Sequence, residues 1–357
     1  MNNINKLVSS ILEDDKSYKK YNVLFTPRRV ENRLKQIKAI LQQEYIDGDL
    51  DLSDIPITDL GNLRSVDGYL DLSGTHIKSL GSLKSVSGYL DLSNTPITDL
   101  GSLESVGDTL DLSNTPITNL GSLKSVGGDL GLLGTFITNL GSLRFVGGNL
   151  DLFDTPITSL GSLESVGGSL DLLDVPIVDL GSLKSVGGDL NLSYTRITSL
   201  GSLESVGGNF KLTNTNVTSL GSLKSVDGNF DLDDTPITDL GSLEFVGGYL
   251  NLPHAPITNL ESLKSVGDYF DLHDTSVTSL GSLKSVGSYL NLAHTPIIDL
   301  GSLKSVGSWL DLRNTPITSL GSLRSVGVIL IDNNSKIDIN KISKYLKNKI
   351  KIYNTNL

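Results

Sequence analysis

The apolar residues of this chain fall on a twenty-residue grid. Leu90, Leu92, Ile97, Leu100, Leu103 and Val106 mark one copy, and the same positions recur thirteen times between 61 and 320 without insertion or deletion. An incomplete copy leads in from Gly48 and a fragment trails out to Leu330. One such unit cannot bury its apolar side alone and must stack on its neighbours, so the pattern predicts a repeat solenoid. The two-residue spacing of Leu90 and Leu92 predicts a short strand with one buried face, Asp91 pointing the other way. Glycines at the start and middle of each unit suit tight turns, and the Thr-Pro-Ile-Thr stretch supplies a fixed φ and short polar side chains.

Leu90 to Leu100 reads Leu-x-Leu-x-x-Thr-x-Ile-x-x-Leu, which resembles the leucine-rich repeat, with threonine where that family carries its inward asparagine. The preceding Ser-Val-x-Gly-x-Leu-x-Leu segment is similar to the repeats of receptor L domains. The resemblance implies a right-handed rod with one parallel β-sheet. It also implies a structural ladder at Thr95, Thr115, Thr135 and Thr155, whose hydroxyls would tie turns together as the asparagines do. Twenty residues leave no room for a long outer helix, so the outer turns are expected to be short and non-helical. At about 4.8 Å per strand the stack is roughly 60 Å long.

Three segments follow: an N-terminal cap over 1–46, the solenoid over 47–330 and a C-terminal cap over 331–357. Both caps are expected to be helical. Thr26 and Pro27 suit a helix start, and Val30, Leu34, Ile37 and Leu41 form an amphipathic stripe. At the other end, Asn340 is placed to cap a short helix through Ile342, Tyr345 and Leu346, with Ile350 to Tyr353 as a last edge segment.

Residues twenty apart define columns along the stack. The column of Asp51, Asp71, Asp91 and Asp111 is mostly acidic; its like charges are either absorbed by solvent or available to cations or a basic ligand. The next column turns aromatic at Tyr249, Tyr269, Tyr289 and Trp309, and the one beyond carries His273 and Arg313 over the same turns. Rings on the solvent side of a strand add nothing to the core. They either form a binding patch or stack to stabilise the sheet. In the column normally held by serine, Leu133, Phe153 and Leu173 replace it in successive turns and, with Phe136, predict an exposed apolar strip for a protein contact or a homodimer. Along the outer edge, charges alternate in sign from Arg144 to Lys264, which predicts a ladder of surface ion pairs.

Charge is unevenly spread around the formal net value of −11. Residues 1–46 carry nine basic groups against five acidic, 321–357 seven against two, and the repeats between carry thirteen against thirty-three. An acidic stack does not match a nucleic-acid backbone; it matches a partner protein with a basic surface. The absence of cysteine excludes disulfide caps, thiolate metal sites and thiol nucleophiles. No stretch reads as a secretion signal or approaches a membrane span, which favours a cytoplasmic or host-intracellular location. The Asn, Ile and Lys bias of both ends fits a phage, viral or bacterial source.

Chemistry has little to stand on. His254 and His294 share a column two turns apart, about 10 Å, too far to ligate one zinc ion together, and no nucleophile–base pair accompanies them or His273. The glycines of 121–128 lack the Lys-Ser/Thr ending of a phosphate loop. No cofactor or metal is expected. The sequence therefore reads as a non-enzymatic recognition scaffold that binds a protein through its exposed strand face. A passive spacer is the alternative, and a hydrolase using the His254, His273 and His294 region the weaker one.

Overall fold

The computed structural model describes Lys35 and residues 37–353. They form two compact units that divide between Gly168 and Ser169. Each is a parallel β-solenoid of twenty-residue turns, and each turn repeats the same short elements. Ser85–Val86 and Leu90–Asp91 are the two strands of one turn in the first unit, and Ser225–Val226 and Phe230–Asp231 those of one in the second. A third segment makes single parallel bridges such as Ser79↔Asp99 and Ser219↔Asp239.

Register is twenty residues through the repeats: Ser85 pairs with Ser105 and Val86 with Val106, while Leu90 pairs with Leu110 and Asp91 with Asp111; past Val306 a bulge shifts it, so that Leu310 pairs with Ile329. The two ladders use their donors in opposite senses. Leu90 N–H reaches forward to Thr109 O at 2.8 Å, whereas Ser87 N–H reaches back to Val66 O at 2.9 Å. Every turn is thus tied to both neighbours within its unit by backbone alone, and a one-residue slip would expose the whole leucine set.

The core is the apolar grid. Leu90, Leu92, Ile97, Leu100 and Leu103 are fully buried in the first unit, as are Phe230, Ile237, Leu240 and Leu243 in the second. Phe210 and Phe230 stack inside it at 4.8 Å. The buried threonines close their own turns: Thr95 and Thr115 Oγ1 each donate to the carbonyl three residues back at 2.6 Å, and Thr135 and Thr155 do the same. Where glycine leads the bend before the second strand, the neighbouring turn leaves no space, since a Cβ at Gly127 would lie 2.0 Å from Gly107 O.

The expectation of helical terminal caps is overturned. No described helix reaches seven residues. At the C-terminal end the two ladders merge into the longer strands Ser305–Asp311 and Ser325–Asp332. After a 3₁₀ turn at Ile339–Lys341 and a four-residue helix at Lys344–Lys347, Ile350–Tyr353 adds in parallel to Ile329–Asp332. The reason is the open edge: a strand pairs its row of backbone groups, which a helix packed across it would leave unpaired. Ser343, not Asn340, caps the four-residue helix, accepting from Leu346 N–H at 3.3 Å. Toward the N-terminus, residues 37–40 make one helical turn with Ile37 and Ile40 buried; the rest of the helix expected there, with Val30 and Leu34, lies outside the described residues.

Candidate functional site

The surface column of aspartates is built into the turns. Asp91 Oδ1 accepts the backbone N–H of Ser93 at 2.8 Å, and Asp111, Asp171, Asp271 and Asp311 bind the residue two further on in the same way. This Asx turn redirects the chain after each strand, whether two residues long at Asp91 or seven at Asp311. The next position then takes a left-handed backbone, φ 58° at Asn94 and 57° at Asp274, which Asn and Asp tolerate best. One oxygen of each of these carboxylates is therefore already in use. Burial raises the Asp71 carboxyl above the usual carboxylate range, with Ser73 partly opposing the shift.

The aromatic row of the second unit is stacked. Tyr269 and Tyr289 lie with ring centroids 5.2 Å apart and 25° between planes. Tyr249 is half-buried, as are both stacked tyrosines, whereas Trp309 is 48% exposed. Leu290 pairs with Leu310, so Trp309 lies one strand beyond Tyr289 in the same column. Beneath the rings are two buried carboxylates that sequence reasoning treated as outward-facing. Tyr269 Oη donates to Asp271 Oδ2 at 2.5 Å and Tyr289 Oη to Asp311 Oδ2 at 3.2 Å. Burial, reinforced by these acids, raises both phenols.

Asp311 also holds Arg313. Nε lies 2.9 Å from Oδ1 and Nη2 2.6 Å from Oδ2, a bidentate pair in which the Asp311 side chain is 1% exposed. The hydrogen bonds it donates to Asp311 hold the guanidinium yet more firmly protonated. Its plane sits over the Tyr353 ring at 5.1 Å. The alternation of the column hid this arrangement; the signal available was the aspartate two residues after Tyr269 and after Trp309.

The first unit carries a different face. Leu133, Phe136 and Phe153 are exposed by 64%, 62% and 50%, and pairing of Leu130 with Leu150 puts Leu133 and Phe153 at equivalent places in adjacent turns. Leu173 belongs to the second unit and is half-buried. Along the charged edge, Lys124 and Glu104 meet at 2.6 Å, as do Lys224 and Glu204, and Arg144 pairs with Glu164.

The histidines pair diagonally. His254 and His273 face edge-on with ring centroids 4.8 Å apart, and His254 Nδ1 is 3.9 Å from Asp274 Oδ2. His294 meets Asn314 instead, Nε2 to Nδ2 at 3.2 Å. A depression of about 580 Å³ near the C-terminal end is lined by Thr318, Ser319, Lys336, Asp338 and Lys341 and holds no histidine. The chain offers no thiol nucleophile, and no described helix is long and apolar enough to cross a membrane.

No family model matches the chain, and no curated protein does. Among solved structures it is similar to YopM from Yersinia enterocolitica WA-314, at 15% identity over 96% of this chain and 100% of that one, with a TM-score of 0.26. A likeness at that level carries nothing about function.

Proposed function

We propose that the chain is a non-catalytic solenoid scaffold that recognises a protein partner through its exposed strand face. The observation that supports this best is Trp309: a large ring 48% exposed, one strand from the Tyr269–Tyr289 stack and two residues from Arg313. Tryptophan, tyrosine and arginine dominate binding hot spots because they bury much area for little lost conformational freedom. Here the stack, Asp271 and Asp311 hold the surface rigid, so binding would order few side chains. Tyr249 and His273 flank the same face. The acidic balance of the repeats favours a partner with a basic surface. The leucine-rich-repeat likeness of the phrase fits a recognition scaffold, although a fold names no partner. In the first unit, Leu133 and Phe153 form an apolar patch suited to a second protein contact or to self-association.

The test is partner recovery from the native source by wild type and by the Tyr269→Ala, Tyr289→Ala, Trp309→Ala variant, both verified as folded. Loss of the recovered partner in the variant supports the reading. Equal recovery would favour the spacer alternative, in which the rings only stiffen the sheet.

A further inference from the structure

A second kind of site lies one column away. We propose that His254, His273 and Asp274 form a binding site for a divalent transition-metal ion of the Zn²⁺ type.

Their donor atoms all lie within 4.8 Å of one another. Tetrahedral zinc with bonds of about 2.0–2.2 Å needs donors about 3.4 Å apart, and His254 Nδ1 already approaches Asp274 Oδ2 to 3.9 Å. Small torsions of exposed side chains close the difference, because the His254 and Asp274 side chains are 68% and 45% exposed. The backbone beneath them need not move. His254 N–H donates to His273 O at 3.2 Å, locking the two turns in register. His254 and Asp274 both take the left-handed conformation, φ 60° and 57°, and so project alike from successive turns.

His273 is further prepared by Asp271. Its Nδ1 lies 2.8 Å from Asp271 Oδ1, and that carboxylate is itself fixed by the His273 N–H and the Tyr269 hydroxyl. A carboxylate on one ring nitrogen sets the tautomer and makes the other nitrogen a stronger donor, the usual outer shell of a metal-bound histidine. Two imidazoles and one carboxylate select zinc, copper or nickel over calcium or magnesium, which prefer all-oxygen sets. Three protein donors leave a coordination position for water or for a side chain from outside. Position by position the arrangement belongs to this pair of turns: the residues equivalent to His273 elsewhere are Ser, Leu, Phe, Thr, Asp, Pro, Ala or Arg. The column reading of the sequence missed it because the pair is diagonal, one residue across and one strand along.

The experiment is calorimetric titration of the chelator-treated full chain with Zn²⁺, with Co²⁺ absorption as a geometric readout. One equivalent should bind. His254→Ala and His273→Ala should each weaken it at least tenfold, and Asp271→Asn about tenfold through loss of the outer-shell carboxylate. His294→Ala and His76→Ala should stay within twofold of wild type, and circular dichroism should show every variant folded. Absence of saturable binding would overturn the proposal. So would an equal loss in His294→Ala, or several weak equivalents unchanged across all variants. The aromatic face is tested separately, by partner recovery with the Tyr269, Tyr289 and Trp309 substitutions.

Discussion

The two units carry the same tyrosine pair in different settings. Tyr69 and Tyr89 in the first unit stack at 4.7 Å with 3° between planes, and Tyr269 and Tyr289 in the second at 5.2 Å with 25°. The ring spacing in both pairs follows from the strand spacing and by itself teaches nothing about function. What differs is underneath. In the second unit the hydroxyls reach the buried Asp271 and Asp311, and Arg313 neutralises Asp311. The Tyr69 and Tyr89 hydroxyls meet no carboxylate at hydrogen-bonding distance among the described residues. The second stack is therefore tilted and anchored, and the first is only stacked. A surface prepared for a partner is expected to be the anchored one.

The largest expected effect comes from cutting the anchor. Arg313→Ala leaves Asp311, 1% exposed, as an uncompensated buried charge. It should lower unfolding stability by about 3 kcal/mol, the low end for a broken buried pair because Arg313 is itself partly exposed. Denaturant titration checks this, and a loss under about 1 kcal/mol would mean that solvent already serves Asp311. Next comes Tyr269→Phe, which removes a hydrogen bond to a charged group and should cost about 1.5 kcal/mol. Tyr69→Phe, with no such bond, should stay within about 0.5 kcal/mol of wild type; equal losses would erase the distinction between the units.

A smaller effect appears at alkaline pH. Burial, then the neighbouring Tyr69 and aspartates, push the Tyr89 phenol up to about 12 from 10.0. The folded state favours the neutral phenol, so its contribution is fully present below pH 10.0 and is lost as pH rises through about 12. The ultraviolet tyrosinate signal of wild type minus Tyr89→Phe should show that late titration; a midpoint near 10.0 would place the ring in solvent. The smallest effect belongs to the edge pairs. The hydrogen bond from Lys124 holds the Glu104 carboxyl below its usual range. Lys124→Ala should return it there by NMR titration while leaving the unfolding midpoint unchanged, as exposed pairs stabilise little.

Much of this was legible from the apolar grid. Leu90, Leu92, Ile97 and Leu100 are buried where their spacing put them, and twenty-residue register follows from having no other way to cover them. The edge pairs at Arg144 and Lys224 were equally readable from alternating sign. Two things were not. Asp271 and Asp311 stay on the outward face, within reach of Tyr269 and Arg313 two residues away, but the side chains of that face bury them. The His254–His273 contact is diagonal and invisible to columns. At the C-terminal end the Ile350–Tyr353 edge segment was readable and pairs with Ile329–Asp332, while the helix expected through Ile342, Tyr345 and Leu346 shrinks to Lys344–Lys347.

Everything about these faces depends on residues twenty apart being strand neighbours. The chain has no cysteine, so paired substitutions give a clean readout. Ser105→Cys with Ser125→Cys places thiols on directly paired positions, and Ser85→Cys with Ser125→Cys places them two strands apart. Under mild oxidation the first pair should form an intramolecular disulfide in nearly every molecule and the second in almost none, since a disulfide spans Cα atoms no more than about 7 Å apart. Efficient closure of the second pair with failure of the first would contradict the stacked register and every surface built on it.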